Sequence, residues 1–304
     1  MEKSGHLDAR AVLYATIAIL TWSSAYAAIA YGLAAFTPGE VALARLALGT
    51  VCFLLWVRIR GLPLPPWRAW PPLLALGALG LGVYQLCLND SETHIASGTA
   101  AMIIALAPAA TTAASALWLH ERLSGRMISG LVVALIGVAV VVLTSGKSVS
   151  FQPKAALVLV SVLAAAVYFT ALKPMSARYG AAAATAVTCI GGALGALPFG
   201  LGLPHALAAA PLSHTAALLW LGLAPTFVGY LTWNMAIHRA SVSKVSSFIY
   251  FSTPIALLIG WLWLGERPGW LTLIGGTIVV GGVILSNLKE RAPVKAAAPV
   301  SCQS

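Results

Sequence analysis

The sequence predicts an all-α integral membrane protein, with ten transmembrane helices arranged as two inverted five-helix repeats. Three observations carry this. Apolar stretches of membrane-spanning length recur along the chain. Lys and Arg fall mostly on one side of them. A set of motifs returns after 145 or 146 residues, with an odd number of helices in each unit.

The chain has 304 residues, 60% hydrophobic and 9% charged, with a mean hydropathy of +0.90. Soluble domains carry roughly 25% charged residues. So little charge does not cover a water-facing surface, so the outside is expected to be lipid. The expected spans are 11–33, 39–57, 71–89, 95–118, 127–145, 155–173, 181–202, 214–237, 244–264 and 270–288. A helix of such length satisfies its own backbone in hydrocarbon. The short alternating strands of a β-barrel are not seen. Ala25-Tyr26-Ala27 resembles a signal-peptidase site, but its apolar run is too long for a signal core and reads as a retained first helix.

Orientation follows from the basic residues. With the N-terminus inside, the inner segments hold Lys3, Arg10, Arg58, Arg60, Arg68, Arg122, Arg126, Lys173, Arg178, Arg239, Lys244, Lys289, Arg291 and Lys295. The outer loops hold Lys147, Lys154 and Arg267, and Arg45 falls within the second helix. Adding or removing one helix scrambles this split. The expected location is the inner membrane, multi-pass, with cytoplasmic tails at 1–10 and 289–304.

The repeat joins 11–145 to 155–288. Tyr84 and Pro108 return as Tyr230 and Pro254, 146 residues later. Leu119-His120-Glu121-Arg122 returns as Leu264-Gly265-Glu266-Arg267, and Gly137 as Gly282, 145 residues later. A five-helix unit must enter the membrane upside down in its second copy. Inverted repeats bind solute near the midplane, where the halves meet.

Ala105-Leu106-Ala107-Pro108 through Trp118-Leu119-His120-Glu121-Arg122-Leu123-Ser124-Gly125, with its second copy from Pro254 through Leu262-Trp263-Leu264-Gly265-Glu266-Arg267, resembles the signature of the EamA family of the drug/metabolite transporter superfamily. Leu20-Thr21-Trp22-Ser23-Ser24 and Ala44-Arg45-Leu46 are also similar to that family, and the likeness spans roughly residues 11 to 288. The resemblance implies cytoplasmic termini and a central cavity lined by helices 1, 3, 4, 6, 8 and 9, with 5 and 10 peripheral. It also implies export of amino acids or related metabolites by alternating access. Import of a vitamin-like or sugar-like solute is the second expectation, and a membrane sensor or assembly subunit the third.

Polar side chains within a membrane usually face a cavity or another helix. The candidate substrate-binding residues are Trp22 and Ser23 in the first helix, Tyr84 and Gln85 in the third, and Tyr168 in the sixth. The eighth helix adds Tyr230, Trp233 and Asn234, and the ninth Tyr250. Tyr230, Trp233 and Asn234 are three and four apart and share a face. Helical packing and backbone hydrogen bonding are the competing roles for all of them. Pro108 and Pro254 are expected to kink their helices in mid-course. Arg45 is expected to pair with Glu40, snorkel outward or bond helix-end carbonyls, with a solute carboxylate as the alternative partner. Glu121-Arg122 and Glu266-Arg267 are expected to cap or lock loops. Gly191-x-x-x-Gly195 suggests close helix packing.

Other classes find little support. The net charge of +10 is scattered, not gathered into a patch, and nucleic acid is not an expected partner. Cys52, Cys87, Cys189 and Cys302 match no zinc spacing. Gly146-Lys147-Ser148 resembles the end of a phosphate loop, but Val141 stands where its first glycine belongs. No enzyme activity and no cofactor are expected. The partners are a small-molecule substrate and membrane lipid, with the oligomeric state left open. The eight acids lie in tails, loops or helix ends, so transport is expected to run downhill or to couple through something other than a buried carboxylate.

Overall fold

A computed structural model describes residues 8–118, 125–144, 153–239, 245 and 247–287. The Glu121-Arg122 turn, Gly146-Lys147-Ser148 and both expected tails (apart from residues 8–10) lie outside these residues. Among the described residues all regular structure is helical. Six helices are long and apolar enough to cross a membrane: Ala9–Gly32, Pro38–Ile59, Trp67–Glu92, Pro153–Tyr179, Ala181–Phe199 and Leu212–Ala236. Four shorter apolar helices accompany them, Ser97–Thr111, Ile128–Thr144, Ser252–Leu264 and Trp270–Leu285.

Helix α1 (Ala9–Gly32) starts where the Asp8 carboxylate accepts the Ala11 N–H. Helix α2 (Pro38–Ile59) opens on a reciprocal cap. The Thr37 hydroxyl accepts the Glu40 N–H, and the Glu40 carboxylate accepts the Thr37 N–H at 2.8 Å. Helices α3 (Trp70–Leu76) and α4 (Val83–Glu92) form one span, joined by a π-helical turn at Gly77–Gly82. The next span is broken. Helix α5 (Ser97–Ile104) ends in a turn, and α6 (Ala107–Trp118) restarts beyond it. Then come α7 (Gly125–Thr144), α8 (Pro153–Tyr179), α9 (Ala181–Ala196) and a short exposed α10 (Leu203–Ala209). Helices α11 (Leu212–Leu221) and α12 (Gly229–Arg239) are joined by a second π-helical turn, Gly222–Val228, which begins 145 residues after the first. Helix α13 (Ser252–Leu264) follows a 3-10 turn at Ser247–Phe251 and ends on Gly265 at φ +68°, a conformation that favours glycine. Helix α14 (Trp270–Asn287) completes the described chain.

The two prolines do not kink continuous helices. Pro108 is the second residue of α6, just beyond the turn that ends α5, and Pro254 is the third of α13, where the 3-10 turn passes into α-helix. A first-turn N–H has no intrahelical acceptor, so proline costs nothing there and favours the restart.

Glycines set the close packing. A Cβ on Gly191 would overlap the backbone of Leu74, and one on Gly195 would stand 3.1 Å from Ala78, so α9 lies directly on the α3 span. Helices α7 and α14 pack antiparallel with reciprocal contacts. A Cβ on Gly137 would lie 2.8 Å from the Gly275 carbonyl oxygen, and one on Gly282 would lie 2.7 Å from that of Gly130. Gly137 and Gly282 are 145 residues apart, as are Gly130 and Gly275, so each helix presents corresponding positions to the other. Large apolar side chains cover the outside, among them Leu212 (83% exposed), Trp270 (82%) and Ile59 (77%). Lipid, not water, suits such a surface.

The bundle has two distinguishable ends. At one, Arg239 pairs with Asp8 at 3.1 Å. At the other, Lys154 pairs with Asp90, and the Ser91 hydroxyl donates to the Lys154 carbonyl at 2.6 Å. Following the helices between them puts Arg10, Arg58, Arg60, Arg68, Arg126, Lys173, Arg178 and Arg239 at the Asp8 end. Lys154 and Arg267 lie at the Asp90 end.

Candidate functional site

A cavity of about 530 Å³ runs through the middle of the bundle. Helices from both halves of the chain line it: α1, α2, α4, α6, α8, α12 and α13, with residues of the Gly77–Gly82 turn, Ile104 and Ile249. Among the described residues, α7 and α14 contribute nothing to it. Lys173 and Phe169, both exposed, mark its mouth toward the Asp8 end. Tyr26, Arg45 and Leu88, at 7%, 6% and 1% exposure, mark its far limit. Among the described residues, the lining thus passes from exposed side chains toward the Asp8 end to buried ones toward the Asp90 end.

One wall is aromatic. Trp22 stands 5.6 Å from Tyr230 in an edge-on arrangement and 5.2 Å from Trp233 at a 45° tilt. The Trp22 indole N–H donates to the Pro225 carbonyl at 3.0 Å. This bond is possible because the backbone bulges through Gly222–Val228, leaving carbonyls outside the regular ladder. It also needs Gly229: a Cβ there would lie 2.6 Å from the indole nitrogen. Such a bond between neutral groups is worth ~1 kcal/mol net, and the ring pairs add ~1 kcal/mol each. The wall is thus held rigidly between α1 and α12. Tyr168 continues it on α8, its ring packed on α3–α4 where Gly80 leaves room, its hydroxyl 3.0 Å from that of Thr188.

The expected site residues divide. Trp22, Tyr84, Tyr168, Tyr230, Trp233 and Pro108 line the cavity together. Ser23 does not: it is fully buried and donates to the Ile19 carbonyl at 2.7 Å, with Ser252 beside it. Gln85 does not line it either, because its carbonyl oxygen is turned to Arg45. Asn234 and Pro254 lie outside the lining, and the side chain of Tyr250 is outside the described residues.

Arg45 is the principal correction. It neither snorkels nor pairs with Glu40, whose carboxylate is engaged in capping α2. It lines the cavity, 6% exposed. Its Nε donates to the Thr226 hydroxyl at 2.9 Å and an Nη1 hydrogen to Gln85 Oε1 at 3.2 Å. Thr226 belongs to the same π-helical turn and donates in turn to the Leu221 carbonyl at 2.8 Å. The partners lie 181 and 40 residues away along the chain, which is why no local pattern announced them. Phe169, Lys173 and Ser252 also line the cavity and were not expected there; Tyr26 and Thr111, both polar residues of expected spans, join them. For Tyr26 a signal existed, since it lies four residues from Trp22 on one helical face.

The acids supply a second correction. Glu92 ends α4 and is 7% exposed, and neither of its carboxylate oxygens has a hydrogen-bond partner. A helix-end acid is not always solvated, and here α4 ends inside the bundle. Glu266 closes the bundle at the same end. Its carboxylate accepts the Ser97 N–H at 2.9 Å, the Ser97 hydroxyl at 2.8 Å and the Gly98 N–H at 3.2 Å, tying the loop after α13 to the start of α5.

Comparison with known proteins matches this architecture. The model of the EamA-like transporter family matches twice, at residues 9–143 and 152–288. A probable terminal-alkyne amino-acid exporter of Streptantibioticus cattleyicolor is 34% identical over 278 residues, covering 91% of this chain and 93% of that protein. The uncharacterized transporter YdfC of Bacillus subtilis is 30% identical, covering 88% of each. The pseudopaline exporter CntI of Pseudomonas aeruginosa is 28% identical, covering 92% of this chain and 96% of that one. One solved crystal structure shares the fold at a TM-score of 0.60 and 22% identity, covering 91% of this chain and 96% of that one. This multi-pass membrane protein is a transporter rather than an enzyme, and the chain belongs to the EamA-like transporter family of the drug/metabolite transporter superfamily.

Proposed function

We propose that this protein exports amino acids or related compounds across the inner membrane by alternating access between two inverted five-helix halves, 11–145 and 155–288. The observation that carries the reading is the central cavity, lined from both halves of the chain by aromatic side chains and by Arg45, with exposed lining toward one end of the bundle and buried lining toward the other. The reciprocal glycine contacts of α7 and α14, and the two π-helical turns 145 residues apart, support a twofold relation between the halves. The gathering of Arg and Lys at the Asp8 end supports a cytoplasmic mouth and cytoplasmic termini. Two relatives named as exporters, one of an amino acid and one of pseudopaline, support the direction and the solute class.

In this reading solute arrives past Lys173 and lies against Trp22, Tyr84, Tyr230 and Trp233. The halves then rock, the Glu266 contact with α5 parts, and the cavity opens outward. Aromatic walls offer large contact area with few rotamers to freeze, which suits a solute that must also leave. The test is a comparison of extracellular metabolites from cells with and without overexpression, followed by flux of each enriched compound in proteoliposomes. Enrichment of amino acids or their derivatives, reproduced in liposomes, supports the proposal. Liposomes that pass none of the enriched compounds overturn it.

A further inference from the structure

The charged lining of the cavity is all of one sign. Arg45 stands at its buried end and Lys173 at its exposed end, and among the described residues no acidic side chain lines it. A guanidinium removed from water needs a counter-charge or a full set of acceptors. Arg45 has five N–H donors in a planar fork. Two of them meet neutral acceptors, Thr226 and Gln85. The ion pairs among the described residues, Lys154–Asp90 and Arg239–Asp8, do not include it. The buried carboxylate of Glu92 acts on it electrostatically from beyond hydrogen-bond distance, so it occupies none of the guanidinium donors.

The two neutral partners also orient the fork. Thr226 holds Nε and Gln85 holds Nη1, so the guanidinium plane is fixed between α2, α4 and the Gly222–Val228 turn. The Nη2 donors have no hydrogen-bond partner within the protein among the described residues. A fixed guanidinium with a free Nη edge matches the planar, two-oxygen geometry of a carboxylate.

We infer that Arg45 anchors the carboxylate of the transported solute, so that the site takes a carboxylate joined to an apolar or aromatic body and rejects the matching amide and amine. This deepens the transporter reading and rests on it. Thr226 and Gln85 act as positioning residues, and Lys173 draws anions to the mouth. A solute whose only charge is an ammonium meets two cations and no acid.

The experiment uses purified full-length protein in detergent, with tryptophan fluorescence and thermal shift as readouts. The probes share one ring system: 3-phenylpropionate, L-phenylalanine, L-phenylalaninamide and 3-phenylpropylamine. The two carboxylates are expected to bind at least ~10-fold tighter than the amide and the amine, the factor that one hydrogen bond to a charged group supports. Arg45→Gln abolishes that preference, and Arg45→Lys keeps part of it because the charge remains. The wild-type series needs no variant, so misfolding of Arg45→Gln leaves the test decisive. Equal binding of acid and amide, no binding of either carboxylate, or a preference that survives in Arg45→Gln overturns the inference. Carboxylate binding without flux in proteoliposomes overturns the transporter reading alone. Flux of enriched neutral solutes, with no preference for acids, overturns the anchor alone.

Discussion

Replacing Glu266 by Gln perturbs the contacts at the Asp90 end, beyond the buried end of the cavity, and leaves its lining untouched. The carboxylate makes three hydrogen bonds to Ser97 and Gly98, at 2.9, 2.8 and 3.2 Å, across the divide between the two halves of the chain. Hydrogen bonds to a charged group contribute ~1.5–3 kcal/mol each, and a negative charge at a helix N-terminus adds ~0.3–1 kcal/mol. Gln keeps one acceptor and loses the charge, so the closed state is weakened by about 2 kcal/mol, a shift of ~30-fold in the open-to-closed ratio. Leu88, at the buried end of the cavity and 1% exposed, reports that shift. With Leu88→Cys in a background lacking the four native cysteines, a membrane-impermeant maleimide added outside should label ~30-fold faster when Glu266→Gln is present. Gly260→Ala attacks the same latch without touching the charge, because its Cβ would lie 2.8 Å from Glu266 Oε2 and 3.0 Å from the Ser97 hydroxyl. Unchanged labelling in both variants refutes the latch and with it the outward gate at this end.

Other perturbations test other layers of the argument. Trp22→Ala, Tyr230→Ala and Trp233→Ala should each lower flux about tenfold or more with membrane expression intact, as loss of a ring pair and its contact area implies. Normal flux in all three would remove the aromatic wall from the transport path. Gly137→Leu or Gly282→Leu should lower the melting temperature in detergent, since each side chain would force α7 and α14 apart at backbone contact distance; unaltered melting would contradict that packing. Glu92→Gln should melt no lower than the parent, because burial of the carboxylate and the like charge of Glu266 cost more than its attraction to Arg45 returns. A marked fall would mean that the carboxylate has a partner in the folded protein.

What the chain decides locally was readable before any coordinates. Apolar runs of spanning length report helices because each helix closes its own hydrogen bonds and needs only a lipid-compatible surface. Tyr230 and Trp233 share a face because helical periodicity is local. Gly137 and Gly282, matched in the sequence at a spacing of 145, each stand at a close helix contact.

Tertiary structure alone decided which polar groups meet. Arg45 looked like a residue to be neutralised by nearby Glu40, but the first turn of α2 claims that carboxylate, and the guanidinium finds Thr226 and Gln85 on other helices. Gln85 looked like a solute ligand and instead orients the arginine. Glu92 looked like a solvated helix end and is enclosed. The prolines looked like mid-helix kinks and sit in the first turns of α6 and α13. In each case the sequence determined the residue's chemistry and its place along a helix. The partner was set by side-chain contacts between helices far apart in the chain, and no local periodicity encodes those.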